Sequence, residues 1–217
     1  MKTKELSIPV TTTLGSVSGE LIMPVKSAAL LLLAHGAGAG MQHHFMVDLS
    51  HALYENGIAT LRYNFPYMES GKKRPDPPAI AEKTVGMVIE RSQQLYPDLP
   101  LFGAGKSFGS RMTSQYLSKN PAASLRGLIF YGFPLHAAGK PSIDRSAHLQ
   151  SITKPMLFLQ GTRDALATIG LMEEICQTLR SSTLVKFEGA DHSFKAGKKE
   201  LIPTLAETTA AWIKKLA

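Results

Sequence analysis

Apolar positions along the chain fall into short runs separated by polar punctuation, and the runs are of two kinds. Ala28–Ala34 is continuously apolar, and Ile58–Phe65, Leu125–Phe133 and Pro155–Gln160 are rich in apolar residues over strand-like lengths. Such runs suit strands buried on both faces of a sheet. Other runs recur at helical spacing: Ala79–Tyr96 sets Ile80, Val85, Val88, Ile89 and Leu95 along one stripe. Met46–Asn56, Thr168–Arg180 and Glu200–Leu216 read as further helices, the first closed by Gly57. A segment from Phe108 to about Ser118 is helical until Asn120-Pro121 stops it.

Ahead of these, Glu5–Val10 and Ser18–Val25 are short and partly alternating, joined by a turn at Leu14-Gly15-Ser16, and predict an antiparallel hairpin at a sheet edge. Thr183–Glu188 predicts one more strand, and Tyr67–Pro78 a polar, basic loop. From Ala28 onward the order β-α-β-α-β predicts an α/β fold: a mostly parallel, doubly wound sheet with helices on both faces. The length, 217 residues, is that of one domain, expected to span residues 1–217.

Composition narrows the classes. The chain is 44% hydrophobic and 19% charged, ordinary values for a globular protein. Its longest apolar run is far short of the roughly 20 residues a membrane helix needs, and the N-terminal stretch carries lysines with no apolar segment behind them. A single cysteine, Cys176, fits a reducing compartment, and the cytoplasm is the expected location. The net charge of +7 comes from scattered residues, with short clusters only at Lys72-Lys73-Arg74, Lys198-Lys199 and Lys214-Lys215. No nucleic-acid signature accompanies them, so they read as solvated surface, and neither nucleic acid nor membrane is expected as a partner.

The chemistry centres on Gly105-Lys106-Ser107-Phe108-Gly109, a G-x-S-x-G turn between a short apolar strand and a helix. This pattern places a serine on a sharp, strained strand-to-helix turn, and glycines flank it because a β-carbon there would strike the neighbouring strand or helix. The same stretch ends in Gly-Lys-Ser, as a phosphate-binding P-loop does. A P-loop needs glycine where this chain has Pro100, which offers no amide and cannot take glycine's torsions.

In a doubly wound sheet, chemistry collects at the carboxyl ends of strands. Ala34 is followed by His35-Gly36-Ala37-Gly38, Gln160 by Gly161-Thr162-Arg163-Asp164, and Glu188 by Gly189-Ala190-Asp191-His192. A serine hydroxyl becomes a good nucleophile when an imidazole accepts its proton, and the imidazole needs a carboxylate to fix its tautomer. Ser107, His192 and Asp164 meet that need, with the Ala37 and Phe108 amides facing the oxyanion. His35, Gly36, Gly38, Gly105 and Gly109 support the loops, His35 by bonding backbone. Asp144 and Asp191 are rival acids, and Asp164 could instead cap the next helix. His43 and His44, as adjacent residues, are expected to point apart and to bind no metal. Cys176 reads as packed in a helix. No cofactor is called for.

The stretches HGAGAG, GKSFGS, QGTRDAL and GADHSF, with Leu61–Tyr67, give the whole chain a resemblance to α/β-hydrolases. More narrowly it resembles the small, lidless, dienelactone-hydrolase-like group, itself similar to the hydrolase-like domain of the third subunit of the NSL histone-acetyltransferase complex. The resemblance implies an α/β-hydrolase fold and the Ser, Asp, His chain order of that fold. Dienelactone hydrolases carry cysteine at the elbow, where this chain has Ser107. Two readings follow: a serine hydrolase of a small ester, thioester or amide, or a non-catalytic interaction module on the same fold. The interval Leu135–Lys154 is polar and broken by Gly139-Lys140-Pro141, too poor in apolar positions for a lid. An open site preferring short acyl groups is therefore expected, with the Lys72-Lys73-Arg74 loop as its nearest cover.

Overall fold

The computed structural model describes residues 2–216. The chain begins with a hairpin of β1 (Thr3–Thr11) and β2 (Gly15–Ile22), antiparallel, turned at Gly15, whose φ of +72° is left-handed. There follow β3 (Leu30–Ala34), α1 (His44–Glu55), β4 (Ala59–Tyr63), a single helical turn α2 (Pro66–Glu69) and α3 (Pro78–Leu95). Then come β5 (Leu101–Lys106), α4 (Phe108–Lys119), β6 (Leu125–Tyr131) and a 3-10 helix at Asp144–Ser151. The chain closes with β7 (Met156–Gly161), α5 (Ile169–Thr178), β8 (Ser182–Phe187) and α6 (Ile202–Lys214).

Eight strands form one sheet in the order β1-β2-β4-β3-β5-β6-β7-β8. The strands from β3 onward run parallel, and β2 joins the sheet antiparallel to β4. All five residues of β3 are buried. Leu30, Leu32 and Ala34 enter one apolar cluster, Leu31 and Leu33 the other, as the two-residue period of a strand requires. The first cluster holds residues of α3, α4 and α5, and the second holds those of α1 and α6. Each fully buried leucine contributes about 1.5–3 kcal/mol to this double packing.

Three departures from the sequence pattern have local causes. The second strand starts at Gly15 and ends at Ile22 rather than Val25, because Pro24 has no amide for a ladder and Val25 projects fully into solvent. The expected loop after β4 opens with the helical turn α2, started by Pro66, whose fixed φ suits a first helical position. The strand expected to reach Phe133 stops at Tyr131, where Gly132 turns away with φ +69°. The interval expected to lack a lid holds only the 3-10 helix, which packs on α4.

The sheet's order places the site. From β3 the chain steps to β4 on one side, then returns to β5 on the other side of β3. A crevice opens where the direction of winding reverses, beyond the carboxyl ends of the strands. Pairing keeps those ends level: Ala34 is opposite Gly105, Lys106 opposite Tyr131, and Gly161 opposite Phe187.

Candidate active site

Ser107 links β5 to α4 and holds φ +51°, ψ −112°. A non-glycine residue takes such torsions only when its surroundings impose them. The neighbours do so. A β-carbon at Gly105 would lie 2.3 Å from the Gly109 carbonyl carbon, and one at Gly109 would lie 2.4 Å from the Ala34 oxygen. Helix and strands thus close to backbone contact around the serine. The Ser110 hydroxyl adds a bond to the Gly105 carbonyl, 2.5 Å long.

The loops after β7 and β8 bring two more of the expected residues to this turn. Ser107 Oγ donates to His192 Nε2 over 2.9 Å, and His192 Nδ1 donates to Asp164 Oδ2 over 2.7 Å. The two loops are as closely fitted as the elbow: a β-carbon at Gly161 would meet the Ala190 oxygen at 2.3 Å. Asp164 is buried, and its Oδ1 accepts the Leu166 amide at 2.8 Å. The cap of α5 is Thr168, not Asp164. The rival carboxylates are elsewhere. Asp144 is exposed at the start of the 3-10 helix, and Asp191 accepts the Ser193 and Lys195 amides at 2.8 and 2.9 Å, closing its own turn.

On the opposite wall, Ala37 borders the same cleft as Ser107 and His192. Phe108 is the first residue of α4, so its amide has no partner within the helix. Among the described residues neither the Ala37 nor the Phe108 amide meets a protein acceptor. The next amides of the Ala37 loop are taken: Gly38 N donates to the Tyr67 hydroxyl at 2.9 Å and Ala39 N to the Gly36 carbonyl at 3.2 Å. Buried His35 braces this loop, with Nδ1 donating to the Gly36 carbonyl and Nε2 accepting the Phe65 amide, at 2.7 and 3.2 Å. Burial holds its pKa down to about 4, so the ring is neutral.

Three parts of this arrangement were not legible beforehand. Gln160, fully buried at the end of β7, donates from Nε2 to Asp164 Oδ2 at 2.6 Å and accepts the Phe133 amide at 3.0 Å. A polar residue closing an apolar strand was its only signal. Lys106 lies against the His192 loop, a position that nothing in the strand pattern reveals. His43 and His44 do not point apart. His43 caps α1 with extended torsions while His44 is already helical, so their rings lie 4.2 Å apart beside the cleft. Burial, with the neighbouring His44 and Lys106 charges, lowers the pKa of His43.

The cleft in front of Ser107 has a volume of about 520 Å³. Phe45, Met46 and Leu166 contribute to its wall, and its cations are Lys106 and Lys195. Lys72, Lys73 and Arg74 do not border it, as their reading as solvated surface expects and a basic cover does not. Cys176 is half-buried in α5, its thiol pushed up to about 11 by burial. Among the described residues no group of three or more His, Cys, Asp or Glu side chains is gathered for a metal, and no helix is long and apolar enough to cross a membrane.

The architecture recurs in solved structures. A dienelactone hydrolase from Anabaena variabilis superposes with a TM-score of 0.80 at 17% identity, covering 100% of this chain and 99% of its own. An α/β serine hydrolase homologue from Coxiella burnetii gives 0.75 at 19% identity, over 100% and 99% of the two chains. A lidless α/β serine hydrolase from Xanthomonas campestris gives 0.76 at 20% identity, over 98% and 95%. At such identities the likeness establishes the fold. Residues 27–215 also match the family described as the alpha/beta hydrolase domain, and the chain, from β3 to the end of α6, belongs to that family.

Proposed function

We propose that the protein is a serine hydrolase that cleaves a small ester, thioester or amide through an acyl-enzyme. One observation carries the reading: the unbroken chain of hydrogen bonds from Ser107 through His192 to Asp164, with the serine held on left-handed backbone. His192 Nε2 takes the hydroxyl proton as Ser107 Oγ bonds to the substrate's carbonyl carbon. The carbonyl's π electrons move onto its oxygen, which the Ala37 amide in the loop after β3 and the Phe108 amide at the start of α4 receive. Asp164 keeps Nδ1 protonated and stabilises the imidazolium. When the oxyanion collapses, the leaving group departs with the proton from Nε2. Water then repeats the sequence on the acyl-serine and releases the acid, so protons balance with water as the co-substrate.

The cleft supports the expectation of a small acyl group. Among the described residues no lid domain covers it, and the large apolar side chains of its wall are Phe45, Met46 and Leu166. Beyond about two to four carbons, each methylene should gain little of the roughly 0.8 kcal/mol that full burial brings.

The test is a fluorophosphonate probe followed by peptide mapping, with nitrophenyl esters of increasing chain length as substrates. Labelling at Ser107, its loss in Ser107→Ala, and kcat/KM greatest for short acyl chains are expected. Labelling at another serine, or undiminished hydrolysis by Ser107→Ala, would reject the mechanism. A steady climb toward about eight carbons would reject the short-acyl preference.

A further inference from the structure

Lys106 immediately precedes Ser107, yet its ammonium serves the loop that carries His192. Nζ donates to the His192 backbone carbonyl over 2.5 Å. The Phe45 and Phe194 rings cover it, their centroids 5.7 and 5.5 Å away, close enough for cation–π attraction. Gly132 forms the other side. A β-carbon there would stand 3.2 Å from Lys106 Nζ and 3.5 Å from both Asp164 Oδ2 and His192 Cε1. The ammonium, the acid and the imidazole therefore surround one small space that only glycine leaves open.

The loop carrying His192 is tied mostly to itself and to the loop after β7. Asp191 accepts the Ser193 and Lys195 amides, Phe194 takes φ +60°, and the Ala190 carbonyl accepts the Arg163 amide. Among the described residues, two hydrogen bonds connect it to the serine turn: the imidazole's own bond to Ser107 and the bond from Lys106. The first changes partners during any proton transfer. The second can persist throughout.

We propose that Lys106 is a positioning residue, whose ammonium pins the His192 carbonyl so that the serine-bearing strand also fixes the height of the imidazole over Ser107. The proposal rests on the serine-hydrolase reading. It assigns the lysine of the elbow a task on the base rather than on the substrate.

A charged donor is needed for full strength, because charge-assisted hydrogen bonds are about twice as strong as neutral ones. Four groups face the ammonium: Asp164 after β7, Asp191 and His192 after β8, and His43 at the start of α1. Burial lowers the Lys106 pKa and the two aspartates resist, leaving it at about 8. Above that pH the lysine goes neutral and its hold on the carbonyl weakens. Activity should then decline on the alkaline side, where a serine–imidazole pair alone would reach a plateau.

The experiment compares the wild type, Lys106→Met, and Lys106→Cys before and after alkylation with bromoethylamine, which rebuilds an ammonium at lysine length. A Cys176→Ser background leaves one thiol to alkylate. Each protein is labelled with fluorophosphonate and assayed on nitrophenyl acetate from about pH 6 to 10. Lys106→Met should label at Ser107 to completion but lose about 10- to 100-fold in kcat. Its KM should move less than about twofold, and the alkaline decline should vanish. Its melting temperature should hold or rise, since a desolvated charge is removed. Alkylation should restore both kcat and the alkaline decline. A kcat within about twofold of wild type, a rise in KM with kcat intact, or a fully labelled protein that alkylation fails to rescue would each overturn the proposal. Wild type that is not labelled at Ser107 would instead bring down the hydrolase reading beneath it.

Discussion

Gln160 donates its side-chain amide to the Asp164 oxygen that also accepts the His192 proton, at 2.6 Å. Asp164 is thereby oriented from within the sheet as well as from its loop. Gln160→Leu should remove that donor and orphan the buried Phe133 amide, costing about 1–3 kcal/mol of stability and lowering kcat. Gln160→Glu should do worse, by setting a second carboxylate against Asp164 out of water. Urea unfolding with ester kinetics measures both, and a Gln160→Leu protein indistinguishable from wild type would show that the loop alone orients the acid.

Asp164→Asn should lower kcat by roughly 10³- to 10⁴-fold by favouring the wrong imidazole tautomer. Asp144→Asn should leave kcat near wild type, because that residue is exposed and the imidazole bonds Asp164 and Ser107 instead. Asp191→Asn should fall between them, since its carboxylate shapes the turn before His192. Equal losses at Asp144 and Asp164 would contradict the geometry.

The strain at Ser107 can be measured directly. Glycine takes φ +51° freely, so Ser107→Gly should gain about 1–3 kcal/mol while losing activity. Ser107→Ala keeps the β-carbon and should stay near wild-type stability. If both variants unfold at the wild-type urea midpoint, the turn carries no strain.

His35 gives the fold an acid limit. Unfolded, it titrates near 6.5; folded, burial lowers that to about 4. The unfolded chain therefore binds the proton first, and stability is complete above about pH 6.5 and falls as pH drops toward 4. His148, also lowered to about 4 by burial and by Arg111 and Lys119, acts in the same direction. His35→Gln can make both bonds without titrating, and its stability should fall less between about pH 7 and pH 5. Parallel losses in mutant and wild type, followed by urea unfolding, would rule His35 out as the source.

The sequence revealed most where one local pattern determines the answer. The leucines of β3 can only be a strand buried on both faces, and the glycines around Ser107 announce a turn with no room for side chains. The order Ser107, Asp164, His192 was legible because each follows a strand end. Where direction depends on a single torsion, the sequence was mute. His43 and His44 meet because one is the cap and the other begins the helix. Lys106 finds the His192 carbonyl across a gap of 86 positions, which no local spacing encodes. Gln160 looked like the end of a strand, and its Phe133 partner comes within reach only once β6 and β7 lie side by side.

Ser107 follows a central strand, while Asp164 and His192 hang from β7 and from β8, the rim of the sheet. Most of β8 is half-buried or exposed, with Phe187 its one buried residue. Rims of this kind open before the interior does. Mild denaturant should therefore detach His192 from an elbow that is still folded. Amides of β8 and α5 should exchange with deuterium at concentrations where those of β3 and β5 stay protected, and hydrolysis should fade with the first group. The protein would then be switched off reversibly well short of unfolding.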